Sequence, residues 1–505
     1  MDLPRLSLFA LVIILAYPAH GTEETALSAV NVTAKGYSSA DIETPLSTAT
    51  LDRDEIARRG AANVGDALRG EPGIAVANDS AQGQNPVIRG LGKESTVLLV
   101  DGMRFNSAQP AGAVASFMTL GLAERVEVVK GGASVLYGTG ALGGAINVLM
   151  PQAKFTPGIG LKAGASYDSA SEGWRGTALV NASQGDHALM LGASLARIDD
   201  YDSPQGKVAR TGYDSDAFIG QYRFRLDSQQ QLRVSAQLHR DEDVWYPGST
   251  RPHPTNPAMR STTIHSPEQE RRLYEIGYSR NGSGEAPLNV DVRVYRQEME
   301  RQIYSYANWL AHDIVTNQVT FQTDGADIKA DWLVHPQHLL SFGINAWEMT
   351  GNPDRWMAGA PTFTTFASNN PFQHARITAI GAHIQDDMRF GKLNLLAGLR
   401  YDSVKSDAES MNNGTRLSGL ANKDNAFSGS LGAIYEAAPL IRPYASVARA
   451  FRAPGMRERY ESGLRGDGYN YAGSPEVEAE KANQFELGIK GASANFTYQL
   501  AGYYN

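Results

Sequence analysis

The side chains with the clearest chemical potential fall in three polar, aromatic stretches. One holds Trp245, Tyr246, His253, Met259 and His265, a second Tyr304, Tyr306, Trp309 and His312, and a third Arg355, Trp356 and Met357. Aromatic rings and guanidinium groups together suit flat, anionic ligands such as iron chelates, through stacking and charge-assisted hydrogen bonds. Met259 with His253 and His265 could instead ligate a soft metal such as copper, but their spacing is irregular and the chain has no cysteine to supply a thiolate. For each histidine taken alone, a solvated loop residue is the better reading.

Other chemistries are missing from the pattern. No Gly-x-Ser-x-Gly elbow and no His-Glu-x-x-His pair occurs, so an enzyme is not expected, and neither a resident cofactor nor a metal centre is implied. A net charge of −8, with both signs interspersed, leaves no basic footprint for nucleic acid. The lack of cysteine excludes disulfides and is compatible with an oxidising compartment.

The elements that would carry these stretches follow two rhythms. Arg5, the apolar run Leu6 to Tyr17, Pro18 and then Ala19-His20-Gly21 read as a signal peptide over 1–21. No later run reaches the roughly 20 apolar residues of a membrane helix, so a membrane-spanning chain must be a barrel. Residues 22–40 form a polar leader. Residues 41–152 read as a small α+β unit, with a helical segment from Asp54 to Leu68 and extended runs at Pro86–Arg89, Thr96–Asp101 and Val126–Lys130.

From 153 to 505 the pattern alternates with period 2, as strands with two different faces do. Phe218, Gly220, Tyr222, Phe224 and Leu226 oppose Ile219, Gln221, Arg223 and Arg225; Leu232, Val234, Ala236 and Leu238 oppose Arg233, Ser235, Gln237 and His239. Tight links near Gly185, Ser228, Asn281–Glu285, Pro336, Gly391, Ala437–Pro439 and Ala492 alternate with longer loops at about 199–213, 241–271, 301–316, 350–374, 405–425 and 452–481. Alternating short and long connections are the habit of a membrane barrel, and a soluble sandwich has no reason to keep that order. The count is about 15 antiparallel strands. An even number normally closes such a barrel, and the alternation is still running at Asn505, so further strands are expected and residues 1–505 alone should not form a stable closed barrel.

The chain resembles the TonB-dependent outer-membrane receptor family along nearly its whole length. The resemblance rests on an ordered set of motifs: Asn63-Val64-Gly65-Asp66-Ala67-Leu68 with Pro72-Gly73-Ile74, Ile88-Arg89-Gly90, Val97 to Gly102, Glu124 to Gly131, Ser134 to Gly138 and Gly143 to Val148. Phe451-Arg452-Ala453-Pro454 and Gly473 to Glu480 resemble a further motif pair flanking a long loop. Ala29-Val30-Asn31-Val32-Thr33 looks like a TonB box, a β-prone segment able to add as a strand to a partner's sheet edge. The resemblance implies a monomeric barrel of 22 strands in the outer membrane, with the α+β unit plugging its lumen. It also implies Arg89 and Glu127 as plug residues pairing with the barrel wall, TonB with the ExbB/ExbD complex as energy partner, and active import of a scarce solute. A ferric siderophore or other iron chelate is the first reading, with haem, cobalamin or a copper complex as alternatives. Haem receptors carry a histidine between the last two motifs, and here none occurs from Arg452 to Lys481. A barrel hydrolase, an adhesin and a passive porin are the rivals from other classes; none of them requires both a plug and a TonB box.

Overall fold

The computed structural model describes residues 30–505 apart from 79, 107–116, 119, 253–260, 360, 466–468 and 494–495. The expected signal peptide, Ala29, His253 and Met259 lie outside the described residues.

The N-terminal unit is built on one mixed sheet. Its strands β1 (Ser47–Asp52), β4 (Thr96–Val100), β5 (Met103–Arg104), β6 (Arg125–Lys130) and β7 (Gly144–Leu149) lie in the order β1-β6-β7-β4-β5, and β7 runs parallel to β4. Strands β2 (Ile74–Asn78) and β3 (Gln84–Ile88) pair separately. The helical segment expected through Leu68 is two short helices, α1 (Arg53–Arg59) and α2 (Val64–Ala67). The break is legible in the residues: Gly60 caps α1 in the left-handed conformation, and the Asn63 side chain accepts from Asp66 N to start α2. Valines, leucines and isoleucines from β1, β4, β6 and β7 fill the core of this unit.

The rest is one large antiparallel sheet. Fifteen strands follow one another in chain order: β8 (Gly158–Asp168), β9 (Gly173–Gln184), β10 (His187–Ile198), β11 (Tyr213–Arg225), β12 (Gln230–Pro252), β13 (Ser261–Arg280), β14 (Leu288–Ala307), β15 (His312–His335), β16 (His338–Gly351), β17 (Ala375–Phe390), β18 (Leu393–Asp407), β19 (Asn422–Tyr435), β20 (Arg442–Arg452), β21 (Glu480–Ala492) and β22 (Thr497–Tyr504). A hairpin of Asp354–Ala358 and Phe366–Ser368 extends the sheet within a long loop. Among the described residues, β8 and β22 do not pair with each other. The expected tight links fall between strands, except that Ala492 is the last residue of β21. The loops expected at 241–271 and 301–316 are instead mostly strand, because β12–β15 run on as long hairpins.

The sheet is inverted relative to a water-soluble one. Phe218, Val234, Ile276, Val294, Ile344 and Leu399 project from its outer face and are exposed, whereas Gln221, Ser235, Gln237, Gln297 and Gln385 on the inner face are buried. Apolar exposure over such an area is costly in water and favourable in lipid. The inner face is buried because the N-terminal unit fills it. Gln237 of β12, Arg271 of β13, Arg293 of β14, Arg400 of β18 and Gln484 of β21 all hydrogen bond to that unit, so the sheet wraps around it.

Candidate functional site

The leader occupies the short-turn end of the lumen. Val30–Asn31 pairs with Ser39–Ala40, and between them the chain turns under β6. Glu127 on β6, fully buried, accepts through Oε2 from Val32 N (2.9 Å), Thr33 N (2.8 Å) and the Thr33 hydroxyl (2.7 Å). The Tyr137 hydroxyl donates to Thr33 O at 2.7 Å. The next residues reach the wall. Lys35 Nζ sits 2.9 Å from Asp387 of β17, both side chains buried, and the Tyr37 hydroxyl bonds the same carboxylate. Burial, with Asp387 adding to it, raises the Tyr37 phenol well above its usual range. Gln385 donates to Lys35 O and Lys329 to Gly36 O. Two main-chain N–H groups of the segment expected to be a TonB box, those of Val32 and Thr33, are thus taken up by Glu127.

Glu127 therefore stands differently from the expectation that it pairs with the barrel wall. Its carboxylate faces the leader, and its ion pair is to Arg125 on its own strand (2.7 Å), because β6 is an interior strand flanked by β1 and β7. Arg89 does reach the wall, pairing with buried Glu486 of β21 and lying 4.2 Å from the Tyr503 ring. The two late motifs meet at Arg452, which bonds Glu458 and Glu480. The first of them grips the plug's glycine run through Gly140 N to Phe451 O (3.1 Å) and Ala453 N to Thr139 Oγ1 (2.8 Å). Close packing of that run needs glycine: a Cβ at Gly144, where φ is +145°, would stand 2.0 Å from Val129 O.

The aromatic candidates divide by face. Tyr246 is buried in the lumen beside Gln269 and Arg301. Trp245, His265 and Tyr304 are cross-strand neighbours that point outward, since Tyr304 shares the face of exposed Val294 while Arg301, Ile303 and Ser305 are buried on the opposite one. A left-handed Asp243 (φ 56°) and a register slip between His265 and Gln269 invert β12 and β13 together. Trp245 stacks on His265 at 4.0 Å, Tyr306 meets it edge-on, and Arg210 covers it at 4.2 Å. From Val294 to Tyr304 is about 33 Å along the strand, so this cluster stands well beyond the apolar band. Arg355 is buried and spent on Asn369 O and Ser462 O, where it ties loops together. Trp309 packs edge-on to Phe363, His312 bonds Asp313 O, and Trp356 is exposed.

Two of the cavities between the N-terminal unit and the wall hold charged groups of interest. One of about 130 Å³ is lined by Arg104, Asn106, Trp347, Met349 and Arg452, with Arg104 already bonded to Asn106 and Tyr137 O. The second lies at the short-turn end, open along the sheet-edge strand β8, and includes Asp101, Arg233, Glu275 and Arg293. Burial, with Glu275 contributing, pushes the Asp101 carboxyl up to about 7. Among the described residues no group of three or more His, Cys, Asp or Glu could hold a metal ion. The sequence reading missed Asp387, Lys35 and Tyr37; only the position of Lys35-Gly36-Tyr37 next to the β-prone leader could have drawn attention to them.

Comparison with known proteins agrees with this arrangement. The TonB-dependent Receptor Plug Domain matches residues 40–145, and the TonB dependent receptor-like β-barrel matches residues 163–505. The chain is 26% identical over 454 residues to a hemin receptor of Yersinia pestis, covering 85% of this chain and spanning only 60% of that relative's length. It is 25% identical to the vitamin B12 transporter BtuB of Vibrio vulnificus, covering 96% of this chain and 71% of the relative. Among solved structures, the copper transporter OprC shares the fold with a TM-score of 0.74 at 18% identity, over 90% of this chain and 71% of that one. With the plug inside a lipid-facing sheet and both family matches in register with them, the chain belongs to the TonB-dependent receptor family of outer-membrane β-barrel proteins.

Proposed function

We propose that this protein imports a scarce solute across the outer membrane by TonB-driven displacement of its plug, and that it is not an enzyme. In this reading residues 22–40 are the leader, 41–152 the plug and 153–505 barrel, and Ala29 to Thr33 is the TonB-binding segment. The observation that carries it is the leader clamp: residues 31–37 are fastened at once to the plug, through Glu127, and to the wall, through Asp387. A pull on the leader by TonB, energised by ExbB/ExbD, loads the sheet strand that holds Glu127. A lumen this wide must be stoppered, and a stopper must be moved. A passive porin has no use for such a clamp.

The solute we favour is a ferric siderophore or related iron chelate, bound above the plug with Tyr246 among the lumen-facing groups. Haem is the second reading, favoured by the similarity to hemin receptors; the lack of histidine from Arg452 to Lys481 counts against it. Calorimetry of the purified full-length receptor against ferric siderophores, haem, cobalamin and copper complexes tests the choice. Tight binding of a ferric siderophore alone supports the first reading, and tight binding of haem alone replaces it.

A further inference from the structure

One cavity between plug and wall is matched to a single ring. Phe105 of the plug, Trp347 and Met349 of β16, Ile377 of β17 and Val404 of β18 line it. Its volume of about 130 Å³ is close to the roughly 150 Å³ of an apolar cavity that takes one benzene molecule. Two aromatic side chains and a thioether favour an aromatic occupant over an aliphatic one, through edge-on, stacked and sulfur–ring contacts. Met349, Ile377 and Val404 each lie within three residues of the long-loop end of their strand. Glu94, which lines the cavity beside the loop residue Arg457 (3.8 Å), is exposed, so the cavity is open toward the end from which a solute arrives.

The charges around it are already answered. Arg452 pairs with Glu458 and Glu480, and Glu94 with Arg457. Arg104 donates to Asn106 Oδ1 (2.7 Å), Tyr137 O (2.9 Å) and Thr139 O (2.5 Å). A guanidinium can only donate, so the Asn106 amide turns its oxygen to Arg104 and its NH₂ the other way. That NH₂ is buried, in a residue only 7% exposed, and has no hydrogen-bond partner among the described residues. A buried donor left unpaired costs stability unless something that visits the site accepts from it. What the cavity lacks is therefore one acceptor oxygen and not a counter-charge.

We propose that this cavity is a subsite for one aromatic ring of the solute, with the Asn106 amide donating to an oxygen that the ring carries. The subsite rests on the import reading and narrows its solute to one bearing an aryl group with a carbonyl or phenol-type oxygen. Benzamide is a suitable probe, and acetamide, the same amide without the ring, is its control; each is titrated calorimetrically into the full-length receptor. Benzamide should bind at millimolar concentration and acetamide should not. Asn106→Asp keeps the oxygen that Arg104 bonds and removes the donor, so it should weaken benzamide at least tenfold with barrel heat-modifiability unchanged. Val404→Phe, which fills the cavity, should abolish binding. Should that variant fail to fold, Met349→Ala reverses the sign of the test: by enlarging the cavity it should admit 2-naphthamide, which the wild type excludes. Failure of the wild type to bind benzamide, equal affinity in Asn106→Asp, or equal binding of acetamide overturns the proposal. If benzamide binding depends on Asn106 while transport proves independent of the leader, the import reading falls and the subsite stands. Leader-dependent transport without Asn106-dependent benzamide binding removes the subsite alone.

Discussion

Replacing Glu127 by glutamine isolates the clamp on the leader. Glu127 Oε2 accepts three hydrogen bonds from Val32 and Thr33, between 2.7 and 2.9 Å, inside a fully buried site. Hydrogen bonds to a charged acceptor contribute roughly 1.5–3 kcal/mol and neutral ones roughly half of that, so the amide loses about 1 kcal/mol at each. The neutral amide also gives up the ion pair that the carboxylate makes with the Arg125 guanidinium at 2.7 Å. The clamp should weaken by about 3 kcal/mol, which corresponds to roughly a hundredfold more of the released leader. The chain has no cysteine, so Val32→Cys introduces a unique thiol, and the substitution leaves the main-chain N–H in place. With slow maleimide labelling the rate follows the open fraction, so Glu127→Gln should label roughly a hundred times faster. A change under threefold would mean that Glu127 does not hold the leader, and the reasoning fails.

Other expectations follow from single contacts. Asp387→Asn leaves Lys35 buried without its counter-ion and should cost roughly 3 kcal/mol of leader docking, read as faster labelling at the same position with barrel heat-modifiability unchanged. Gly144→Ala sets a Cβ 2.0 Å from Val129 O at a φ of +145° and should destabilise the plug by about 3 kcal/mol, measured by urea unfolding. The folded Asp101 carboxyl is raised to about 7, above its unfolded value near 4. It therefore binds a proton that the unfolded chain has lost: plug stability should fall as pH rises between those values, level off above, and become flatter in Asp101→Asn.

How much was legible follows from which physical signals are local. The face alternation at Phe218/Ile219 and Val234/Ser235 is set by burial along one strand, and the polar tight links mark where strands must reverse, so fifteen strands could be counted without long-range information. The plug motifs are likewise contiguous. Side-chain direction near the rim was not legible, because a left-handed Asp243 is no stronger a sequence signal than any aspartate, yet it turns Trp245 and His265 out of the lumen. The length of β12–β15 was hidden by polar residues on both faces, which look like loop when no lipid boundary is drawn. Glu127 was singled out for the right element and the wrong neighbour: its partners are Val32 and Thr33, joined only by folding. Asp387 and Glu486 are similarly remote in sequence from Lys35 and Arg89.

The central claim is that energy reaches the plug through the leader. Proline at Val32 removes the N–H that bonds Glu127 and that strand addition to TonB would use, while leaving the solute-facing end of the lumen untouched. The decisive measurement is uptake by energised cells of the radiolabelled solute identified by calorimetry, with binding measured on the same cells. The account predicts that Val32→Pro binds with wild-type affinity and accumulates no solute above the level seen after the proton gradient is collapsed; wild-type accumulation by that variant would contradict it.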